Sequence, residues 1–171
     1  MKRPAFLVEG DLEQLFIQLV CPGQPVRKIN CNGDKVLLTE IAKRVGTLAR
    51  LLHKRHDPII VVLDREKREQ SSIEMENELL GHLKNEDIHS DVIIGVPDRE
   101  IENWILADYE SFCKSCGRTD FLMKKKFEGK NGKSHVKQLL TSDATYIETI
   151  HGVKWLKASR PHVMIWRRCW R

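Results

Sequence analysis

The chain opens with a short apolar run, Ala5-Phe6-Leu7-Val8, that stops at Glu9-Gly10, after which Leu12, Leu15, Phe16 and Leu19 recur at helical spacing. This pattern predicts a strand, a tight turn and a helix, and Cys21-Pro22-Gly23 stops that helix. A second strand is expected over Val26–Ile29, before the turn residues Asn30 to Asp34. From Val36 to His56 the apolar positions Leu37, Ile41, Val45, Leu48 and Leu52 mark a long helix, which Asp57-Pro58 ends. The strongest strand signal follows: Ile59-Ile60-Val61-Val62-Leu63 is continuous and β-branched, as expected of a strand buried on both faces, and it runs into Asp64-Arg65-Glu66. A charged helix around Ile73–Lys84, a strand over Val92–Val96 and a helix beginning near Pro97 complete the readable pattern.

Strands alternating with helices imply parallel neighbours joined by right-handed crossovers, hence an α/β, Rossmann-like and mainly parallel sheet with helices on both faces. In such sheets ligands bind beyond the carboxyl ends of the strands. Glu9 and Asp64 each stand one residue past an expected strand end, and Asp98-Arg99-Glu100 follows the last strand closely. Topology alone therefore brings three acidic positions to one edge.

A carboxylate after a fully buried strand loses hydration at a cost of several kcal/mol unless donors or a cation compensate. Mg²⁺ is such a cation, because it prefers hard oxygen ligands and takes one or two carboxylates together with substrate phosphate oxygens. Asp64 and Glu66, at i and i+2, offer two carboxylates from one turn, and Glu9 reaches them from an adjacent strand. The competing interpretation is an ordinary charged turn with a glycine that eases the chain into a helix. In the stretch Asp98 to Asp108, Glu100 shares a stripe with Trp104 and Ala107 and is expected to face inward. Glu102 lies about 160° away by the helix angle, so only Glu100 is expected at the site, as ligand or base. Both glutamates also suit the first turn of a helix on dipole grounds.

At 171 residues the chain supports one domain, 1–171, with 41% hydrophobic and 31% charged residues and no low-complexity tract. The longest apolar runs fall far short of the roughly 20 residues of a membrane helix, and no signal peptide is legible, so no membrane association and a cytoplasmic location are expected. Five cysteines without an export signal point to reduced thiols; Cys113 and Cys116 have C-x-x-C spacing but lack a second ligand pair for zinc. The net charge of +5 is unevenly spread: residues 1–123 carry −4 and residues 124–171 carry +9. This divides the domain into an acidic α/β core, 1–114, and a basic helical C-terminal extension, 115–171. Lys124, Lys125, Lys126, Lys130, Lys133 and Lys137 form one basic cluster, suited to phosphate backbones or to an acidic partner protein.

Three segments carry a resemblance: Phe6-Leu7-Val8-Glu9-Gly10, Val61-Val62-Leu63-Asp64-Arg65-Glu66, and Val96 through Arg99-Glu100-Ile101-Glu102-Asn103-Trp104 to Asp108. Together with Gly132-Lys133, Val136 to Leu140 and Ile150-His151-Gly152, they resemble the small Toprim-like proteins of the DUF4276 family. That family is similar to the Toprim domains of topoisomerases, primases and overcoming-lysogenization-defect nucleases, where a strand-end Glu and a D-x-D motif organise Mg²⁺ for phosphodiester chemistry. The resemblance implies a Mg²⁺- or Mn²⁺-dependent nuclease acting on DNA or RNA. Glu9, Asp64 and Glu66 are the implied metal ligands, and Glu100 completes the catalytic set. It also implies an ABC- or SMC-like ATPase partner and an effector role in bacterial anti-phage defence. Two departures stand out: the second acid of D-x-D is Glu66, and the tail Arg160 to Arg171, with Trp166 and Trp170 among arginines, differs from the family's ending.

The remaining candidates carry less. His135 and His151 lie in the basic part, where a histidine can serve as general acid, but His151-Gly152 also reads as a helix end. Gly132-Lys133-Ser134 lacks the full phosphate-loop pattern, and no nucleophile elbow is present. The alternatives to a nuclease are a non-catalytic Toprim-like subunit that binds nucleic acid or the ATPase, and a nucleotidyl transferase, for which no separate nucleotide-binding signature exists.

Overall fold

The first strand, β1 (Arg3–Val8), ends at Glu9-Gly10 and leads into α1 (Asp11–Val20), as its apolar periodicity requires. There follow β2 (Val26–Lys28), α2 (Leu38–Leu52), β3 (His56–Val62), α3 (Ser72–Leu83) and β4 (Val92–Gly95). The short α4 (Ile101–Ile105), α5 (Tyr109–Ser115) and α6 (Gly132–Leu139) complete the elements. The computed structural model describes residues 2–31, 33–88, 90–115, 127 and 129–139.

The four strands form one sheet in the order β2-β1-β3-β4, and every pair is parallel. Successive side chains of a strand face opposite sides, and the two sides have separate cores. Phe6, Val8, Ile60 and Val62 pack with Leu12, Phe16, Ile17 and Val20 of α1, Ile101 and Ile105 of α4, and Val136 and Leu139 of α6. Ala5, Leu7, Ile59, Val61 and Leu63 pack on the other side with Ile41, Val45 and Ala49 of α2 and Met75, Leu79 and Leu83 of α3. The sheet is thus covered on both faces, as its continuous β-branched strand β3 demands.

This layering fixes where a ligand can enter. The connection from β1 to β2 runs through α1 on one face, and the connection from β2 to β3 runs through α2 on the other. The chain therefore reverses direction across the sheet between β1 and β3, which makes the gap at their carboxyl ends a topological switch point, the preferred crevice of open α/β sheets. Glu9 leaves β1 at that gap and Asp64 follows β3 there.

Several sequence expectations shift in detail. The helix expected over Val36–His56 is the shorter Leu38–Leu52, and Asp57-Pro58 lies inside β3 rather than ending a helix. Its Asp57-Pro58 bond is cis. The helix expected near Pro97 starts at Ile101, because Arg99 has φ of 77° and Glu100 is extended at φ −142° and ψ 155°. Of the basic C-terminal extension, α6 is described; Lys124, Lys125, Lys126, Cys116, His151, Trp166 and Trp170 lie outside the described residues. Among the described residues no helix is long and apolar enough to cross a membrane.

Candidate active site

A cavity of about 260 Å³ opens at the switch point, lined by Glu9, Gly10, Asp11, Leu12, Glu13, Asp64, Glu66, Glu100, Glu102 and Lys133. The four sequence-derived acids, Glu9, Asp64, Glu66 and Glu100, all reach it, and so does Lys133 of the basic cluster. Lys130 and Lys137 are exposed and do not line it.

Glu9 is held in place by two backbone donors. Gly33 N–H donates to its Oε1 and Asp64 N–H to its Oε2, each at 3.0 Å, so the carboxylate joins the ends of β1 and β3 to the loop after β2. The residue is only 8% exposed. Burial raises its pKa from 4.5 to about 7 against the opposing pull of the two N–H donors, and the neighbouring Glu13 and Glu66 add repulsion.

Asp64 has the more extreme setting. Its Oδ1 is buried with no hydrogen-bond partner among the described residues. Desolvation lifts its pKa well above the ordinary carboxylate range, and the charges of Glu13, Glu9, Glu102 and Glu66 raise it further. Glu66 follows in the left-handed region, with φ of 57°, and its N–H donates to Arg99 O at 2.6 Å. A non-glycine residue in that region is uncommon and strained. Desolvation, then Glu100 and Asp34, push its pKa up, while Lys133 and Lys67 pull it down.

Besides the exposed Asp11, two buried acids that the sequence pattern does not place in the site belong to it. Glu13, in the first turn of α1, is 6% exposed and reaches back so that Gly10 N–H donates to its Oε2 at 2.8 Å. The approach is close: a Cβ on Gly10 would stand 2.9 Å from that oxygen. Burial raises the Glu13 pKa, and Glu66 and Asp11 reinforce the shift. The second is Glu102, 3% exposed, which lines the same cavity as Glu100. The expectation that Glu102 points away is overturned, because Glu100 precedes the helix and the angular rule that separated the two does not apply to an extended residue. Both missed acids leave a trace in the sequence. Glu13 shares the stripe of Phe16, Ile17 and Val20, and Glu102 that of Ile105 and Leu106, all buried; a charge on a core-facing stripe is the informative exception.

The remaining wall comes from the segment before α6. Asn103 Nδ2 donates to Phe127 O at 2.6 Å and Lys130 O at 3.0 Å, and Glu100 accepts from Asn131 Nδ2 at 3.2 Å and from Lys133 N–H at 2.9 Å. Gly132 is pressed against α4, since a Cβ there would meet Asn103 Oδ1 at 2.6 Å. These contacts place Lys133 beside the acids.

Seven carboxylates around one cavity, four of them with raised pKa values and one with an oxygen that has no partner among the described residues, form a surface that protons relieve at low pH and that a cation relieves at higher pH. The donor chemistry fits a hard divalent ion: all candidate ligands are carboxylate oxygens, and Asp64 Oδ1 has free lone pairs. As the side chains stand, no group of three His, Cys, Asp or Glu among the described residues has ligating geometry. The fit is therefore one of charge and donor type.

No family model matches the chain, and neither curated proteins nor solved structures give a match.

Proposed function

We propose that the protein is a divalent-metal-dependent nuclease of the Toprim type, with its reaction centre in the acidic cavity at the β1/β3 switch point. The observation that carries this reading is the buried, unpartnered Oδ1 of Asp64 amid like charges. A fold gains nothing from an uncompensated buried carboxylate, whereas a cation site uses one. Asp64, Glu9 and Glu66 would hold Mg²⁺ or Mn²⁺, with Glu13 and Glu102 completing the negative wall. When bound, the ion supplies charge neutralisation at the phosphate and a nucleophilic water at neutral pH.

The chain's own residues account for the rest. Glu9 is fixed by two N–H donors and offers the ion a preset carboxylate. Lys133 presents a positive charge to a phosphate at the cavity mouth and offsets the repulsion between the acids and a polyanion. Glu100, anchored by Lys133 N–H and Asn131, orients this wall and stands where a water can be directed. The basic cluster of Lys124, Lys125, Lys126, Lys130, Lys133 and Lys137 would track the backbone of DNA or RNA, and the resemblance to Toprim-like effectors adds an ABC- or SMC-like ATPase partner.

A second reading, a non-catalytic subunit that binds nucleic acid or the ATPase, is favoured by one observation: Glu9 and Glu13 accept backbone N–H bonds at strand-end turns and loops, and Glu100 accepts one from the first turn of α6, so these acids also serve the fold. A cleavage assay on single- and double-stranded DNA and RNA with Mg²⁺ and Mn²⁺, with and without the ATPase, separates the two. Metal-dependent cleavage supports the nuclease; binding without cleavage under every condition supports the subunit.

A further inference from the structure

In the stretch Asp64-Arg65-Glu66-Lys67-Arg68 the acids line the cavity, while the two arginines tie together the loops that surround it. Arg65 donates through Nε and Nη2 to Asp98 Oδ1, at 3.0 and 2.7 Å, and through Nη1 to the carbonyls of Arg68 and Gln70. Arg68 reaches the other way: its Nη2 donates to Val36 O at 2.6 Å and Gly33 O at 3.2 Å, in the loop between β2 and α2. That loop matters because Gly33 N–H is one of the two donors that fix Glu9.

Cys31 and Val36 pack on the core on either side of this turn, and Val36 N–H donates to Gly33 O at 3.3 Å, but Gly33 itself has no side chain to anchor it. Asp34 and Lys35 are exposed, nothing among the described residues stands within 4 Å of the position a Gly33 Cβ would take, and Gly33 itself has φ of 101°, a conformation that suits glycine. Packing holds the flanks of the turn, and hydrogen bonds set the orientation of the Gly33 peptide. Arg68 supplies two of these bonds while its Nε is buried without a partner among the described residues. An arginine that leaves a donor desolvated is a costly filler for a loop gap, since an unmade buried hydrogen bond costs about 1–3 kcal/mol.

We propose that Arg68 is a positioning residue for the candidate metal ligand Glu9: its guanidinium clamps the Gly33 turn, and the Gly33 N–H in turn fixes Glu9 Oε1. The proposal rests on the reading of the cavity as a divalent-cation site. Its consequence is that a residue outside the cavity lining sets the affinity of the site for a cation, through a backbone amide.

The test compares wild type with Arg68→Met, Arg68→Lys and the control Arg50→Met, whose arginine pairs with Glu86 away from the cavity. Two quantities are read without nucleic acid: Mn²⁺ affinity by calorimetry, and the hydrogen-exchange rate of the Gly33 amide by NMR. Loss of an outer-shell hydrogen bond to a ligand weakens metal binding by roughly 10- to 100-fold, so Arg68→Met should bind Mn²⁺ about tenfold more weakly and exchange the Gly33 amide at least tenfold faster. Arg68→Lys, which keeps the charge and a donor, should fall between the two, and it carries the comparison if Arg68→Met does not fold. Arg50→Met should change neither quantity. A folded Arg68→Met with wild-type Mn²⁺ affinity, or with an unchanged Gly33 exchange rate, overturns the proposal. Wild type that binds no Mn²⁺ overturns the metal reading of the cavity instead, and the Gly33 exchange rates then decide the clamp on their own.

Discussion

Removing all divalent metal and raising the pH should weaken this fold, opposite to the behaviour of a protein whose carboxylates are held by ion pairs. Glu9 titrates near 4.5 when unfolded and near 7 when folded. A raised folded pKa means that the protonated group favours the native state, so its contribution is fully present below about pH 4.5 and lost as pH rises through about 7. The displacement from 4.5 to about 7 amounts to roughly 3.4 kcal/mol of stability lost across this window. Glu13, Asp64 and Glu66 are displaced in the same direction and add to the loss. Glu74, held below its ordinary value by Ser71, runs the other way, but its change falls below the window. Urea unfolding in EDTA at pH 5, 6, 7 and 8 measures the slope, and Glu9→Gln isolates the share of one group. The variant's missing acceptor shifts its stability equally at each pH, so the difference in slope reports the charge. Wild type should lose about 3 kcal/mol or more between pH 5 and 8, and Glu9→Gln should lose less by a similar amount. A wild-type stability that is flat or rises over this range would refute the reasoning.

Three further outcomes follow from named contacts. Glu13→Gln should keep the fold and weaken Mn²⁺ binding, measured by calorimetry, by roughly tenfold, because it removes one charge from the wall without removing volume. Gly132→Ala should cost about 1–3 kcal/mol in thermal unfolding, since its Cβ would overlap Asn103 Oδ1 and backbone N at 2.6 and 2.8 Å. Lys133→Ala should weaken nucleic-acid binding and reduce the slope of log affinity against log salt by about one, as read by fluorescence anisotropy, with Mn²⁺ affinity retained.

The parallel sheet and its two-sided covering were legible because β3 is continuous and β-branched, and because the helices repeat at a clear period. Glu9 and Asp64 were legible for the same reason: each follows a strand that the pattern marks plainly. Glu13 and Glu102 were harder to place, since a glutamate in a first helical turn has an ordinary explanation in the dipole and the cap. Separating Glu102 from Glu100 required assigning Glu100 to a helix, and the left-handed Arg99 before it is what keeps Glu100 extended. No propensity rule announces a non-glycine residue at φ of 77°. The roles of Arg68 and Asn103 depend on carbonyls of segments more than 20 residues away, Gly33 and Val36 for one and Phe127 and Lys130 for the other. Such contacts between loops have no local sequence signal.

The central claim is that a cation held by Asp64 and its neighbours drives phosphodiester cleavage. It is tested most directly by assaying wild type and Asp64→Asn side by side on nucleic acid in Mg²⁺ and in Mn²⁺, with the fold of each verified by its unfolding curve. The account predicts cleavage by wild type that EDTA abolishes, and loss of at least a hundredfold in Asp64→Asn, about 2.7 kcal/mol of barrier, with folding intact or improved once the orphaned charge is gone. Cleavage by Asp64→Asn at the wild-type rate, or wild-type cleavage that persists in EDTA, would contradict it.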